Sequence, residues 1–403
     1  MRPAALLLLL SASAAYAQPE TRGPHPITDF DAGRVNLAGV QIPVHVYHPS
    51  DIATPLPVVA VVHGYQRNGS FMAEMARTLA SRGMVAVVPD MPCGGIAPCD
   101  HNANAEQLRA LLLWAAADPV ISGRVDPTKR AIIGHSWGAL STFIATTRAG
   151  DFEAAVLLDA NDDRGLAAGI AAQAAVPTAQ VRAEISGNCN SMWTGGIFTA
   201  APVPKLDVRI KGAAHCDAEE PSDNFCPILC GRGDPTKSAL FRRYAVAFVS
   251  CILTRDPAVA PWVEGTGRAM DEAGGLIDQV GASGLAALPC IGMVPPTDDA
   301  GVAAADAAST STTGDASTAA NDDAAAVVHD DASGGVPIAP DAAAGAFADA
   351  GPSGASDAAP GASVDAGVPG PGSVDDGCQT VRGSTPLFLT AALLVVILSR
   401  KRA

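Results

Sequence analysis

Five consecutive residues, Gly134-His135-Ser136-Trp137-Gly138, carry the spacing in this chain most suggestive of chemistry. A serine flanked by glycines becomes a usable nucleophile when a sharp strand-to-helix turn lifts its hydroxyl clear of a sheet edge. The glycines are needed because such a turn leaves no room for a β-carbon on either side. In a chain with 40 glycines the pattern alone is weak, so its surroundings must carry the claim. An activated serine also needs a base within hydrogen-bond reach and a carboxylate that orients the base. Downstream of Ser136 the histidines are His215 and His329, and His329 lies in a stretch too polar and too small-sided to fold. His215 is therefore the expected base. Two carboxylates compete for the third position, Asp159 and Glu184, each standing just after an apolar run; Asp162 and Asp163 are close enough to Asp159 to be considered. Spacing leaves Asp159 and Glu184 equally placed. The developing oxyanion needs two backbone N–H groups, expected from Trp137, next to the serine, and from Tyr65, in the loop after an upstream apolar run.

These residues need a rigid frame, and the hydrophobic pattern predicts one. Residues 35–48 alternate like an early strand or hairpin. Pro57-Val58-Val59-Ala60-Val61-Val62 is a continuous β-branched run, as in a strand buried on both faces. It leads into His63-Gly64-Tyr65. A helix is expected over 71–82, a strand over 84–88, a loop over 91–104 and a helix from Glu106 to Ala117. Val125-Asp126-Pro127-Thr128 reads as the turn into the strand Arg130–Ile133, which delivers the serine turn; Ala139–Ala145 reads as the helix after it. Further strands are expected over 154–158, 177–183 and 205–211, the last of these running into His215, with a closing helix over 238–253. Alternating strands and helices predict an α/β fold with a mostly parallel sheet and helices on both faces. Strand ends at the carboxyl edge of such a sheet are where sites lie.

Composition divides the chain. Arg2, the apolar run Ala4–Leu10 and Ala15-Tyr16-Ala17 read as a secretory signal over 1–17. Residues 18–254 are expected to form the catalytic domain and 255–294 a Gly- and Ala-rich extension without an assigned place. From 295 to 377 the chain holds fourteen aspartates, no Lys or Arg and one aromatic, Phe347. Such a segment buries too little apolar surface to offset its chain entropy and reads as a disordered, self-repelling linker. It also accounts for nearly all of the net charge of −15, so the acidity says little about the folded part. Residues 378–403 combine Cys378, a hydrophobic run and Arg400-Lys401-Arg402. They resemble the C-terminal surface-sorting tag of myxobacterial exported proteins, which implies export followed by anchoring at the cell surface or outer envelope. Eight cysteines remain in the folded region, and an exported chain can pair them into four disulfides; local spacing favours Cys93 with Cys99 and, less strongly, Cys251 with Cys290. No paired Cys-x-x-Cys sets occur, so no metal or other cofactor is expected. No Gly-rich phosphate loop or basic aromatic patch points to nucleotide or nucleic acid. Oligomeric state is not encoded legibly.

Pro57–Tyr65, Leu79-Ala80-Ser81-Arg82-Gly83-Met84-Val85, Gly134–Gly138, Leu158-Asp159-Ala160-Asn161-Asp162 and Gly212–Asp217 together resemble the chlorophyllase branch of the α/β-hydrolases. The resemblance covers about residues 40–254 and takes in the Cys226/Cys230 segment. Neighbouring polyester-hydrolase and dienelactone-hydrolase families share the serine turn and the His-Gly strand. The resemblance implies an α/β-hydrolase fold, carboxylic-ester hydrolysis through an acyl-enzyme, and Asp159 as the acid, with Glu184 as the alternative. Two departures stand out: Ala139 replaces a usual glycine, and Trp137 replaces a smaller or basic residue, so the particular ester is not implied. A small-molecule or polymeric ester is the expected partner, with the cell envelope reached through the tag. Two other functions compete: a non-catalytic surface or adhesion protein on a retired hydrolase fold, and another acyl-group hydrolase or transferase using the same site.

Overall fold

The computed structural model describes residues 17–94, 99–185, 189, 195–223, 226–231 and 233–292. The expected signal segment apart from Ala17, the linker and the tag lie outside the described residues. Among the described residues no helix is long and apolar enough to cross a membrane.

A hairpin, β1 (Ile27–Leu37) and β2 (Val40–Pro49), opens the chain. It is followed by β3 (Leu56–Val62), α1 (Ala73–Ser81), β4 (Val85–Pro89) and α2 (His101–Ala117). The serine turn joins β5 (Val125–His135) to α3 (Trp137–Ala145). Then come β6 (Ala154–Leu158), α4 (Leu166–Ile170), β7 (Thr178–Ile185), α5 (Gly195–Ala200) and β8 (Lys205–Ala214). The remainder is α6 (Cys226–Cys230), α7 (Pro235–Leu253), α8 (Ala260–Val263), α9 (Thr266–Ala273) and β9 (Ile277–Ser283). The strands form one sheet in the order β1-β2-β4-β3-β5-β6-β7-β8-β9. From β4 to β8 every pairing is parallel; β1, β2 and β9 pair antiparallel at the edges.

Every residue of β3 is buried, which is what a β-branched run between two helical layers requires. Alternate residues serve opposite faces: Val59 and Val61 join the core beneath α1 and α7, while Val58, Ala60 and Val62 join the core beneath α2 and α3. α7 contributes Phe241, Tyr244 and Phe248 to the first core, all fully buried. Burying each such ring stabilises the fold by about 1.5–3 kcal/mol relative to leaving it exposed.

Several boundaries differ from the sequence expectation, three of them by more than an end residue or two of an element. α2 begins at His101 instead of Glu106, because the Asp100 side chain accepts from Ala103 N and caps the helix five residues earlier. Residues 125–128 belong to β5, where Leu56 pairs with Val125 before an irregularity in the ladder. β8 is not the last strand: β9, from the segment left unassigned, pairs with it from Lys205↔Ser283 to Ile210↔Ile277. Its weak strand signal has a simple cause. Ile277-Asp278-Gln279-Val280-Gly281-Ala282-Ser283 buries only Ile277 fully and sits at a sheet edge, where packing imposes little apolar pattern.

Candidate active site

The strand order reverses direction around β3, which lies between β4 and β5. The crevice at such a switch point, outside the carboxyl ends of the strands, is where an α/β sheet presents a ligand site. The end of β3 runs into His63-Gly64-Tyr65 and the end of β5 into Ser136, so the sheet places both loops at this crevice.

Ser136 has φ 55° and ψ −121°, and it precedes the first residue of α3. A non-glycine residue held there stores about 1–3 kcal/mol of backbone strain, and neighbours restrain it from several sides. Its N–H donates to Leu158 O at 3.0 Å, and its carbonyl accepts from Ala139 N, Leu140 N and Asn161 N at 3.1–3.3 Å. The flanking glycines are sterically required. A β-carbon at Gly138 would collide with the His63 carbonyl, and one at Gly134 would collide with the Thr142 hydroxyl and the Gly138 carbonyl. Ala139, the departure from the family pattern, is fully buried in the core under α3.

His215 follows β8 and is buried. Its Nδ1 lies 2.6 Å from Asp159 Oδ2, and Asp159 Oδ1 accepts from Ala183 N at 2.9 Å. A carboxylate accepts at both oxygens, so Nδ1 carries the proton of the His215–Asp159 bond, which in the neutral ring makes Nε2 the lone-pair nitrogen. Asp159 itself sits at φ 38°, with its N–H donating to Val181 O. Ser136, Asp159 and His215 therefore stand at the ends of β5, β6 and β8, at one edge of the sheet. Glu184 is elsewhere: it is exposed, its Oε2 accepts from Gly212 N at 2.6 Å, and its Oε1 lies 3.7 Å from Arg209. Asp162 is also committed, accepting from Ala167 N at 2.7 Å at the start of α4.

The loop after β3 is braced by its own histidine. His63 Nδ1 donates to Gly64 O at 2.8 Å, and its Nε2 accepts from Met91 N at 2.8 Å. Accepting at Nε2 requires a neutral ring, and burial holds its pKa below the ordinary imidazole range. Gly64 allows the loop to press against the serine turn, since a β-carbon there would lie 3.0 Å from Ser136 Cβ and 3.2 Å from His135 Nδ1. Gln66 continues at φ 56° and donates to Cys93 O at 2.8 Å. The Tyr65 and Trp137 rings pack at a tilt of 49° with centroids 4.4 Å apart, and His101 meets Trp137 edge-on at 5.4 Å. The two residues expected to supply oxyanion N–H groups are thus in mutual contact.

Among the described residues four disulfides are present, Cys93–Cys99, Cys189–Cys230, Cys216–Cys226 and Cys251–Cys290. The first and last match the pairs favoured by spacing. The middle two cluster beside His215: the sulfurs of Cys216, Cys226 and Cys230 lie within 4.8 Å of one another, because two disulfides pack together. The loop after His215 is further held by Asp217, whose carboxylate accepts from Ala214 N at 2.7 Å and also from Asp234 N. Burial raises its pKa. Asp234, the last residue of an apparent Arg-Gly-Asp tripeptide, is the N-cap of α7.

Sequence reasoning missed a buried group between these loops. Arg67 Nε and Nη2 donate to both oxygens of Glu219 at 2.6–3.0 Å, and Arg67 Nη1 donates to Asp223 at 2.9 Å. Glu219 Oε1 lies 3.5 Å from His135 Nδ1, and His135 Nε2 donates to His215 O at 3.2 Å. Burial, and then the neighbouring His215, lowers the His135 pKa. Burial alone would raise Glu219, yet its contacts with His135 and Arg67 hold its carboxyl below the usual range. Arg67 and Glu219 are 152 residues apart, so no local motif joins them.

Residues 59–285 match the model of the alpha/beta hydrolase family. The chain is 27% identical to the cutinase of Thermobifida fusca (strain YX) over 165 residues, which are 37% of this chain and 53% of that protein. It is 28% identical over 163 residues to cutinase est1 of Thermobifida alba, at 37% and 53%, and 27% identical over 139 residues to cutinase 1 of Thermobifida cellulosilytica, at 34% and 51%. The chain spans about half the length of the curated relatives it matches. With a family match across more than half of its residues, the chain belongs to the alpha/beta hydrolase family.

Proposed function

We propose that this protein hydrolyses carboxylic esters through Ser136, His215 and Asp159. The observation that carries the reading is the 2.6 Å His215–Asp159 bond, which fixes the ring of the expected base at the sheet edge that also carries Ser136. His215 Nε2 takes the Ser136 proton as Oγ attacks the ester carbonyl carbon; Asp159 holds the ring and stabilises the imidazolium that forms. The carbonyl oxygen becomes an oxyanion, held by the N–H groups of Tyr65 and Trp137. Collapse expels the alcohol, which takes the proton from His215, and leaves an acyl-Ser136 ester. Water then attacks this ester with His215 again as base, releasing the acid and restoring the serine. Glu184 has no part in this cycle.

Similarity to three proteins named cutinase supports esters as the substrate class, with polymeric polyesters among them. The four disulfides favour an oxidising compartment. Export by residues 1–17 and retention at the cell envelope by residues 378–403 complete the reading, with the linker as a spacer. The test is hydrolysis of a chain-length series of p-nitrophenyl esters and a soluble polyester, beside matched thioester and amide substrates. Ester turnover abolished in Ser136→Ala is the expected result. Faster thioester or amide turnover would move the assignment to another acyl-group reaction, and no turnover with a folded protein would favour the non-catalytic surface protein.

A further inference from the structure

The Arg67–Glu219 pair is almost wholly withdrawn from water, with side chains 7% and 1% exposed. Burying such a pair is costly unless geometry and secondary contacts are good, and an apolar pair of similar shape often serves stability as well. Its position therefore invites a role beyond holding the fold together. Arg67 lies two residues after Tyr65, Glu219 four residues after His215, and His135 immediately before Ser136. Arg67 also stacks on the Phe71 ring at 3.6 Å, which fixes the plane of its guanidinium. Glu219 has no freedom to turn away, because Arg67 engages both of its oxygens. On the far side of His135, Nε2 donates to the carbonyl of His215, and the two imidazole rings lie 4.6 Å apart. The main chain repeats the link: Glu220 N donates to Phe71 O at 2.7 Å and Glu74 N to Glu220 O at 3.1 Å.

We propose that Glu219 is a positioning residue, whose Arg67-locked carboxylate sets the loops of Tyr65 and His215 against the Ser136 turn. This deepens the esterase reading and rests on it. Glu219 acts through Arg67, which holds the Tyr65 loop, and through its own chain, which leads back four residues to His215. Loss of either partner lets the oxyanion donor and the base drift with respect to the nucleophile. A displacement on the order of 1 Å at reacting groups costs about 100-fold in rate, so the effect belongs in kcat and leaves ester binding largely alone.

The test compares Glu219→Gln, Arg67→Lys and the double variant Arg67→Gln/Glu219→Gln with the wild type, on a soluble short-chain ester. Asp271→Asn serves as a control, since Asp271 is also buried and paired in bidentate fashion, to Arg243, but shares no residue with the site. Glu219→Gln is expected to lower kcat about 10- to 100-fold with KM within about threefold of wild type. The double variant should be no worse than Glu219→Gln alone, because the residues act as one unit. Asp271→Asn should lower Tm without lowering kcat per folded molecule. The proton NMR signal of the His215–Asp159 bond, which needs no substrate, should shift or broaden in Glu219→Gln and stay in place in Asp271→Asn. An unchanged kcat and an unchanged imidazole signal in folded Glu219→Gln would overturn the proposal, as would a kcat loss equalled by Asp271→Asn. If the wild type cleaves no ester, the esterase reading falls separately, and the NMR comparison alone decides whether Glu219 orders His215.

Discussion

The molecule contains two buried arginine–carboxylate clusters built from the same groups and put to different uses. Arg243, on α7, reaches Glu20 through Nε at 3.0 Å and Asp271 through Nη1 at 2.7 and 2.8 Å; Tyr244 donates to Asp271 at 2.8 Å, and Trp262 lies beneath the guanidinium at 4.5 Å. Burial and then Asp271 raise the Tyr244 pKa, so its hydroxyl stays protonated and donates. This cluster fastens the segment around residues 17–23 and α9 to the helix that covers the sheet. Arg67 instead binds both oxygens of Glu219, beside the His135 ring that precedes the serine. The first gathers distant segments onto a scaffold, and the second joins the loops of Tyr65 and His215, which hold the proposed reacting groups. The two clusters share their chemistry and differ in their place relative to the strand ends.

Breaking this contrast should begin at its extreme. Ser136→Ala and His215→Ala are each expected to lower kcat by about 10⁶, with little change in Tm, as seen when one member of a serine triad is removed. Asp159→Asn should cost about 10⁴, since the ring loses the carboxylate that selects its tautomer. Glu184→Gln should remain within about twofold of wild type, as an exposed change away from the chemistry. Rates measured with one soluble ester check all four. A smaller loss in Asp159→Asn than in Glu184→Gln would reverse the assignment of the acid.

The disulfides give the same contrast in a different chemistry. Cys251–Cys290 closes a separation of 39 residues and joins α7 to the end of the described chain; Cys216–Cys226 closes 10 residues directly after His215. On a chain-entropy basis their removal costs about 4 and about 3 kcal/mol. Replacing the first pair by serine should lower Tm more but spare kcat below the transition. Replacing the second should lower kcat as well, because the neighbour of His215 loses its anchor. Thermal melts and rates on both double variants check this. At the Arg243 cluster, Asp271→Asn is expected to cost about 3 kcal/mol of stability, by leaving a buried charge under-compensated.

The smallest effect is on pH dependence. His63 is neutral when folded, with its pKa held down by burial, whereas the unfolded chain protonates it near pH 6.5. Below that pH the unfolded state binds the extra proton, so stability is full above about pH 6.5 and falls by up to about 1.4 kcal/mol per pH unit beneath it. Glu219, also held low, adds a loss in the same direction at lower pH, as the carboxyl takes a proton. His135, also held low by burial, adds a loss over the same range; denaturant titrations from pH 7.5 to 5 should show the combined slope, and His63→Asn, which can offer the same donor and acceptor, should reduce it by the His63 share.

Much of the site was legible in the sequence because its parts are local. Val58–Val62 could be read as a doubly buried strand from its composition, and Gly134–Gly138 as a turn from its glycines. His215 emerged because other downstream histidines were few. Asp159 and Glu184 could not be separated by spacing, since each follows an apolar run; Asp159 stands just past β6 and meets His215, whereas Glu184 lies within β7. Arg67 with Glu219, and Cys189 with Cys230, were hidden because each pair is joined only in three dimensions. The strand β9 escaped because an edge strand needs no continuous apolar run.

The central claim is that Ser136 is made nucleophilic by His215 and Asp159. Reaction with a fluorophosphonate, followed by mass spectrometry of the modified peptide, tests it without choosing an ester. Stoichiometric labelling of Ser136 is expected in the wild type, slow labelling in Asp159→Asn, none in Ser136→Ala and unchanged labelling in Glu184→Gln. Labelling of another residue, or equal labelling of wild type and Ser136→Ala, would contradict it.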